Sequence, residues 1–177
     1  TVGRMSVAQL HIASGVAKED ILRSAAAVER YSEHSVAKAI VSEAERQQLN
    51  YRDMTVAGFR ATAGLGVEAE VAGQTVLLGS AEWLMRRGVA FNAELQARVH
   101  ELETQAMSCV HVASGGVHLA VFALADRLRG DAQQLINELR AAGIRLTLLS
   151  GDRKPVAEAI ARQLGGMEVI AEVLPQD

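Results

Sequence analysis

Cysteine and aromatic residues are scarce in this sequence of 177 residues, which has one Cys and 3% Phe, Trp and Tyr. A single thiol excludes a disulfide framework and fits a reducing compartment. The few aromatics, the scattered Lys and Arg and a net charge of −3 provide neither stacking platforms nor a basic patch, so we expect no nucleic-acid partner. No run approaches the roughly 18 apolar residues of a membrane span, and no secretory leader is visible. With 49% hydrophobic residues, the sequence predicts a soluble globular chain of one large or two small domains.

Two patterns of secondary structure follow each other along the chain. Short apolar or alternating segments and turn glycines between about residues 7 and 124 predict an antiparallel sheet packed on helices, an α+β layout. From about residue 126 the order becomes helix 131–142, buried strand 144–149, polar turn, helix 154–164 and strand 167–171. This order is typical of a parallel α/β sheet, whose ligand-binding edge lies at the carboxyl ends of its strands.

The first candidate site lies between a helix over 18–29 and a second helix over about 33–48. Glu29 ends one helix and His34 stands at the start of the next. An imidazole can stack on a planar base, and a carboxylate can accept a hydrogen bond from its exocyclic amine. The alternative is purely structural, with Ser32 capping the second helix and His34 on the surface.

Glycines form the second candidate site. Gly64 and Gly66 precede a strand, and Gly79 with Ser80 follows the next one. Glycine allows positive φ and the close approach of a ligand to the backbone. A plain loop or bulge explains the same glycines equally well.

The third candidate site is Ser150-Gly151-Asp152, which follows an apolar strand and precedes a helix. A hydroxyl and backbone N–H groups at a helix N-terminus favour a phosphate. In the alternative interpretation, Asp152 only caps the helix that Pro155 helps to start.

A metal site is a further hypothesis. If residues 114–117 form a tight hairpin, Cys109 and His111 share a face of the sheet with His118, which pairs with Ala113. These three side chains are ligands suited to copper or zinc. Strand hairpins also carry isolated polar residues without any ligand, so this alternative stays open.

In this order, the motifs resemble the cytoplasmic region of heavy-metal-transporting P-type ATPases. The segments that match are Thr1-Val2-Gly3, Ser32-Glu33-His34-Ser35, Gly64-Leu65-Gly66, Gly79-Ser80, Asp126-Arg127-Leu128-Arg129-Gly130-Asp131-Ala132, Ser150-Gly151-Asp152 and Leu174-Pro175-Gln176-Asp177. The first resembles the end of the phosphorylation motif and the last the run before a phosphate-binding lysine, so the chain is expected to be part of a longer protein. Two departures stand out, since Ser35 replaces the proline of S-E-H-P and Ser80 replaces the asparagine of G-N.

The resemblance implies a division of the chain. Residues 1–7 would start the nucleotide-binding domain, residues 8–124 would form it, and residues 125–177 would form part of a haloacid-dehalogenase-like phosphorylation domain. The phosphorylated aspartate would lie upstream of this chain, so the chain would bind ATP without turning it over. It would be the cytoplasmic part of an integral protein of a bacterial inner or plasma membrane, working with its own transmembrane and actuator domains.

The resemblance also implies roles for individual residues, with ATP and Mg²⁺ as cofactors. Glu29 and His34 would hold adenine, while the glycines Gly64, Gly66 and Gly79 would allow the nucleotide to lie against backbone. The remaining implied site residues are Ser80 beside Gly79, Asp126 and Arg129 at the hinge between domains, and Ser150, Gly151 and Asp152 at the phosphate end.

The expected function is ATP-driven transport of a heavy-metal ion. The run Leu148-Leu149-Ser150-Gly151-Asp152-Arg153 resembles the copper-pump variant, which favours Cu⁺, with Zn²⁺ or Cd²⁺ as the alternative. Two other classes compete with this function: a haloacid-dehalogenase-like phosphatase and a non-catalytic nucleotide-binding regulator. A phosphatase needs a nucleophilic aspartate near the start of the chain, whereas the first acidic residue is Glu19, in a predicted helix.

Overall fold

The computed structural model describes residues 5–126 and 128–173. The predicted motif segments at residues 1–3 and 174–177, and Arg127, lie outside these ranges. The strands are β1 (Met5–Ile12), β2 (Val56–Thr62), β3 (Gly66–Val71), β4 (Gln74–Gly79), β5 (Ser108–Ser114), β6 (Val117–Asp126), β7 (Thr147–Leu149) and β8 (Glu168–Ile170). The helices are α1 (Lys18–Glu29), α2 (Ser35–Arg46), α3 (Ala81–Arg86), α4 (Ala93–Thr104), α5 (Ala132–Ala141) and α6 (Lys154–Gln163).

Strands β1 to β6 form one antiparallel sheet in the order β1-β6-β5-β4-β3-β2. Two-residue turns at Ala72-Gly73 and Gly115-Gly116 have positive φ at both positions, the geometry that matches the twist of a hairpin. The predicted hairpin over residues 114–117 is confirmed, and His118 pairs with Ala113 as expected.

Helices cover both faces of this sheet. The hairpin of α1 and α2 buries Leu22 and Ile40 against the face that carries Leu78 and Phe122, all four at most 1% exposed. On the other face, α3 and α4 bury two smaller clusters around Trp83 and Leu102. Because side chains alternate along a strand, each central strand supplies both layers. The α+β interpretation of this part of the chain is therefore confirmed.

The segment after residue 126 forms a smaller α/β unit. Strands β7 and β8 pair in parallel, and α6 buries Val156 and Ala157. The expectation of a buried strand over 144–149 is wrong, because β7 has three residues and Leu149 is 65% exposed. Among the described residues only β8 pairs with β7, and no described element covers the Leu149 side chain. None of the helices in the described ranges has the length and apolar character that a membrane crossing requires.

Candidate nucleotide and phosphate sites

Glu29 is a buried carboxylic acid at the C-terminal end of α1. It is 4% exposed, and burial raises its pKa from 4.5 to about 7. Desolvation accounts for this shift, with no opposing charge or hydrogen bond from the described residues. Such a carboxyl can donate a hydrogen bond when protonated and accept one when ionised, so near neutral pH it offers both.

A cleft of about 450 Å³ opens beside Glu29, a volume within the usual range for small-molecule sites. It lies between the end of α1, one face of α2 and the turn that carries Tyr51. Its lining residues are Glu29, Arg30, Tyr31, Ser32, Ala37, Lys38, Val41, Glu45, Tyr51 and Arg52. The cleft therefore combines an apolar floor, two tyrosines and three cationic side chains.

The polar wall of the cleft is held by a hydrogen-bond network. Glu45 accepts from the Tyr51 hydroxyl at 3.0 Å and from the Arg52 guanidinium at 2.8 Å. Arg30 donates to the Arg52 carbonyl at 2.8 Å and stacks over the Tyr31 ring at 4.9 Å from its centroid. Sequence reasoning missed this wall, because its residues come from separate segments and carry no local motif.

His34 is the N-cap of α2, and its side chain does not line the cleft. Its Nδ1 accepts a hydrogen bond from the Val36 N–H at 3.3 Å. The expectation that Ser32 caps this helix is wrong, since its hydroxyl accepts from the His34 N–H at 3.4 Å instead. The structure thus brings Glu29 to the cleft and leaves the exposed His34 ring at the adjoining helix start.

The predicted glycines fall into two structural groups. Gly64 lies in the turn between β2 and β3 with φ of +71°, and its Cα faces open space. Gly66 and Gly79 pair across β3 and β4, so close that a Cβ on Gly66 would lie 2.8 Å from the Gly79 Cα and 2.8 Å from the Trp83 ring. Packing therefore accounts for Gly66 and Gly79 in this structure, whereas Gly64 borders solvent.

Ser80 is the N-cap of α3. Its hydroxyl accepts from the Trp83 N–H at 3.3 Å at the start of α3, and its own N–H donates to the Leu65 carbonyl at 2.9 Å. Serine is one of the favoured N-cap residues, so the departure from asparagine keeps the local structure.

Ser150, Gly151 and Asp152 form a tight polar turn after β7. The Ser150 hydroxyl donates to Asp152 Oδ2 at 2.8 Å and accepts from the Asp152 N–H at 3.1 Å. The alternative in which Asp152 caps α6 is wrong, because the N-cap is Arg153 and it makes no side-chain cap. The Asp152 carboxylate is a hard oxygen donor of the kind that Mg²⁺ binds, and Mg²⁺ commonly takes one or two carboxylates together with substrate phosphates.

Two further contacts reach this turn from the larger sheet, and sequence reasoning missed both. Ser108 donates to Asp152 Oδ1 at 3.2 Å, and the buried Glu103 pairs with Arg153. Glu103 lies on the buried face of α4 with Leu95, Val99 and Leu102. An acidic residue at such an apolar position is the sequence signal that could have revealed this contact.

Asp126 and Arg129 lie where the two parts of the chain join. Asp126 ends β6, and its buried Oδ1 has no hydrogen-bond partner among residues 5–126 and 128–173. Arg129 forms a two-point ion pair with Asp131 at 3.1 Å, with both side chains exposed.

The hypothesis of a metal site at Cys109, His111 and His118 is wrong. Within the part of the chain that the structure describes, no three His, Cys, Asp or Glu side chains are placed to hold a metal. His111 Nδ1 instead lies 3.0 Å from His118 Nε2 beneath the Phe91 ring. Burial lowers the pKa of both imidazoles, that of His111 to about 3, and raises the pKa of the Cys109 thiol to about 12.

Comparison with known families supplies the context for these sites. The model of the haloacid dehalogenase-like hydrolase family matches residues 2–177. The chain belongs to this family. The match includes both the antiparallel sheet and the α/β unit that carries Ser150, Gly151 and Asp152.

Within the family, the chain is similar to heavy-metal-transporting P-type ATPases. It is 35% identical to a copper-transporting ATPase 2 of Rhizobium meliloti (strain 1021), covering 99% of this chain and 21% of that protein. It is 38% identical to a zinc/cadmium/lead-transporting P-type ATPase of Escherichia coli (strain K12), covering 100% and 23%. The chain thus spans about a fifth of the length of these curated relatives.

Solved structures confirm the resemblance and the fold. A zinc-transporting PIB-type ATPase in its E2.Pi state matches with a TM-score of 0.71 and 37% identity, over 100% of this chain and 28% of that one. The N-domain of HMA8, a copper-transporting P-type ATPase, matches with a TM-score of 0.56 and 30% identity, over 69% of this chain and 99% of that domain. About two thirds of this chain therefore matches the N-domain of a copper-transporting P-type ATPase.

Proposed function

We propose that this haloacid dehalogenase-like chain binds ATP, with adenine held against Glu29. The observation that carries the proposal is a buried carboxyl of raised pKa in the wall of a cleft large enough for a nucleotide. The ionised form accepts from the adenine N6 amine, and the protonated form donates to a ring nitrogen. His34 and Gly64 do not line the cleft, and we propose that they contact the nucleotide from outside it. Gly66, Gly79 and Ser80 support the nearby strand pair and helix start through packing and capping.

The phosphate end of the proposed site is the turn of Ser150, Gly151 and Asp152. Backbone N–H groups and the Ser150 hydroxyl would orient the terminal phosphate. Asp152 would supply an oxygen ligand to Mg²⁺ bound with the nucleotide, and that ion would supply charge neutralisation. Asp126 and Arg129 lie at the joint between residues 8–124, the proposed nucleotide-binding domain, and residues 125–177, the proposed part of a phosphorylation domain.

The acceptor of the phosphoryl group is proposed to be an aspartate outside these 177 residues. The first acidic residue of the chain is Glu19, inside α1, and the relatives extend well beyond the matched region. The chain alone would therefore bind ATP without hydrolysing it. In the complete protein, the aspartyl-phosphate would drive transport of a heavy-metal ion through membrane helices, together with an actuator domain, in a bacterial inner or plasma membrane.

We propose Cu⁺ as the transported ion, because the segment over residues 148–153 resembles the copper-pump variant of the motif. Zn²⁺ or Cd²⁺ is the second candidate, because the chain is 38% identical to a zinc/cadmium/lead pump and 35% identical to a copper pump. Stimulation of the ATPase activity of the complete protein by Cu⁺ or by Zn²⁺ distinguishes the two.

Binding of ATP, AMP and GTP to the wild-type chain and to Glu29→Ala tests the proposed adenine site. Glu19→Ala, at the exposed start of the same helix, is the matched control. We expect binding selective for adenine, weakened at least about tenfold by Glu29→Ala through loss of a charge-assisted hydrogen bond, and unchanged in the control. Equal affinity of wild type and Glu29→Ala in a folded chain would refute the assignment.

A further inference from the structure

One residue of the larger sheet and one residue of helix α4, which packs on that sheet, contact the turn of Ser150 and Asp152 or the residue after it. Ser108, the first residue of β5, donates from its hydroxyl to Asp152 Oδ1 at 3.2 Å. Glu103, near the end of α4, forms an ion pair with Arg153, the N-cap of α6. The partners are 44 and 50 residues apart in sequence, so these bonds join elements that are distant along the chain.

The Asp152 carboxylate is held from two sides. Ser150, in the same turn, donates to Oδ2 at 2.8 Å, and Ser108 donates to Oδ1 from β5. Backbone bonds fix the rest of the turn, since Glu172 N–H donates to the Asp152 carbonyl at 3.0 Å and Val173 N–H to the Ser150 carbonyl at 3.2 Å. Ser108 is therefore the one described side chain outside the turn that orients this carboxylate.

The ion pair adds an anchor at the next residue. Glu103 is 3% exposed, and a buried carboxylate is costly unless it is paired. Its negative charge also contributes to the raised pKa of the neighbouring Cys109 thiol, behind desolvation as the main cause. The Arg153 guanidinium has only donors and cannot cap the N-terminus of α6, and it pairs with the Glu103 carboxylate instead.

We propose that Ser108 and Glu103 are positioning residues, which hold the turn of Ser150 and Asp152 against the nucleotide-binding sheet so that its polar groups are preorganised for a nucleotide phosphate. This inference rests on the proposed function and names two residues that the motifs do not contain. Preorganised polar groups need no rearrangement when charge arrives, which is why such a contact benefits phosphoryl transfer.

Amide hydrogen exchange tests the Ser108 contact without any nucleotide. In Ser108→Ala we expect the Asp152, Glu172 and Val173 amides to exchange roughly tenfold faster than in wild type, as expected for losing a hydrogen bond to a charged group. Ser108→Thr, which keeps the hydroxyl, should restore slow exchange. Ser114→Ala, at the other end of β5, is the matched control and should leave these three amides unchanged.

A double-mutant cycle tests the ion pair. Glu103→Gln and Arg153→Gln, singly and together, should show a coupling of roughly fivefold in the exchange of the Asp152 amide. The exposed pair of Arg98 and Glu101, with atoms 2.8 Å apart on the same helix α4, is the control and should couple by less than about twofold. Unchanged exchange in Ser108→Ala together with no coupling between Glu103 and Arg153 would overturn the inference.

Titration with ATP and AMP separates this inference from the proposed function. If the contacts position the turn for phosphate, Ser108→Ala should weaken the binding of ATP several-fold and leave the affinity for AMP unchanged. An equal loss of affinity for both nucleotides would contradict the positioning role. If the wild-type chain binds neither nucleotide while Ser108→Ala still accelerates exchange, the proposed function fails and the contact to Asp152 stands.

Discussion

At the scale of single residues, Glu29 makes stability depend on pH. Burial raises its pKa from 4.5 to about 7, so the folded chain binds more protons than the unfolded chain between these values. The free energy of unfolding should therefore fall as the pH rises through this window. A shift of this size corresponds to about 3 kcal/mol at most.

Urea unfolding of Glu29→Gln at pH 5 and pH 8 measures this effect. The variant, which cannot ionise, should lose most of the wild-type difference between the two pH values and be more stable than wild type at pH 8 by about 2 kcal/mol. Glu19→Gln should behave as wild type. The same pH dependence in Glu29→Gln and wild type would show that another group titrates.

Gly66 and Gly64 should respond differently to alanine. Alanine at Gly66 places a methyl group against the Gly79 Cα and Trp83, and overpacking of this kind costs about 1–3 kcal/mol. Alanine at Gly64 meets no atom within 4 Å and costs about 1 kcal/mol through its positive φ. Thermal unfolding of the two variants checks the order, and a larger loss for Gly64→Ala would contradict it.

These residues also show what the sequence could predict of the site. The positions of Glu29 at the end of α1 and of His34 at the start of α2 could be predicted from the sequence, because helix capping and helix periodicity are local signals. The close approach of Gly66 to Gly79 and the carboxylate contact of Ser108 were not, since both depend on strand register and on residues far apart in sequence.

At the scale of elements, the start of α2 can be improved. Ser35 is the first helical residue, and His34 before it has φ of −62° and ψ of 150°, which a following proline accepts. Ser35→Pro should therefore stabilise the chain by about 0.4–1 kcal/mol, because proline reduces the conformational entropy of the unfolded chain. Differential scanning calorimetry beside Ser35→Ala measures this, and a lower Tm for the proline variant would show that the Ser35 N–H has a role.

The hairpin of β3 and β4 offers a second test of local geometry. Ala72 has φ of +49°, which alanine adopts at a cost and asparagine tolerates. Ala72→Asn, which creates the favoured Asn-Gly turn, should raise the free energy of unfolding by about 1 kcal/mol, whereas Gly73→Ala should lower it. Urea unfolding of both variants gives the sign, and destabilisation by asparagine would contradict the turn geometry.

Element boundaries followed from local signals where these existed. The helix over Lys18–Glu29 begins and ends as predicted, and Gly115 and Gly116 located the hairpin of β5 and β6. The strand predicted over 144–149 was too long and wrongly buried, because an apolar run alone does not reveal which layer covers it. Helix α4, with Leu95, Val99 and Leu102 as its buried face, was not predicted.

At the scale of the whole molecule, the proposed division after residue 124 predicts that nucleotide binding belongs to the larger sheet. The sheet and α1 to α4 are complete by Asp126 and form the main hydrophobic core, and the cleft beside Glu29 lies entirely within them. A chain shortened to end at residue 126 should therefore fold and bind AMP within about twofold of the full 177 residues. Circular dichroism and calorimetric titration check both, and loss of AMP binding from a folded shortened chain would place part of the site in the α/β unit.

An NMR titration of the isotope-labelled 177-residue chain with ATP tests directly whether adenine binds beside Glu29. We expect the amide shifts from Arg30 to Val41 and at Tyr51 and Arg52 to change first and to saturate together, and we expect GTP to leave them unchanged. Shift changes that bypass this cleft, or equal responses to ATP and GTP, would contradict the assignment of an adenine site at Glu29.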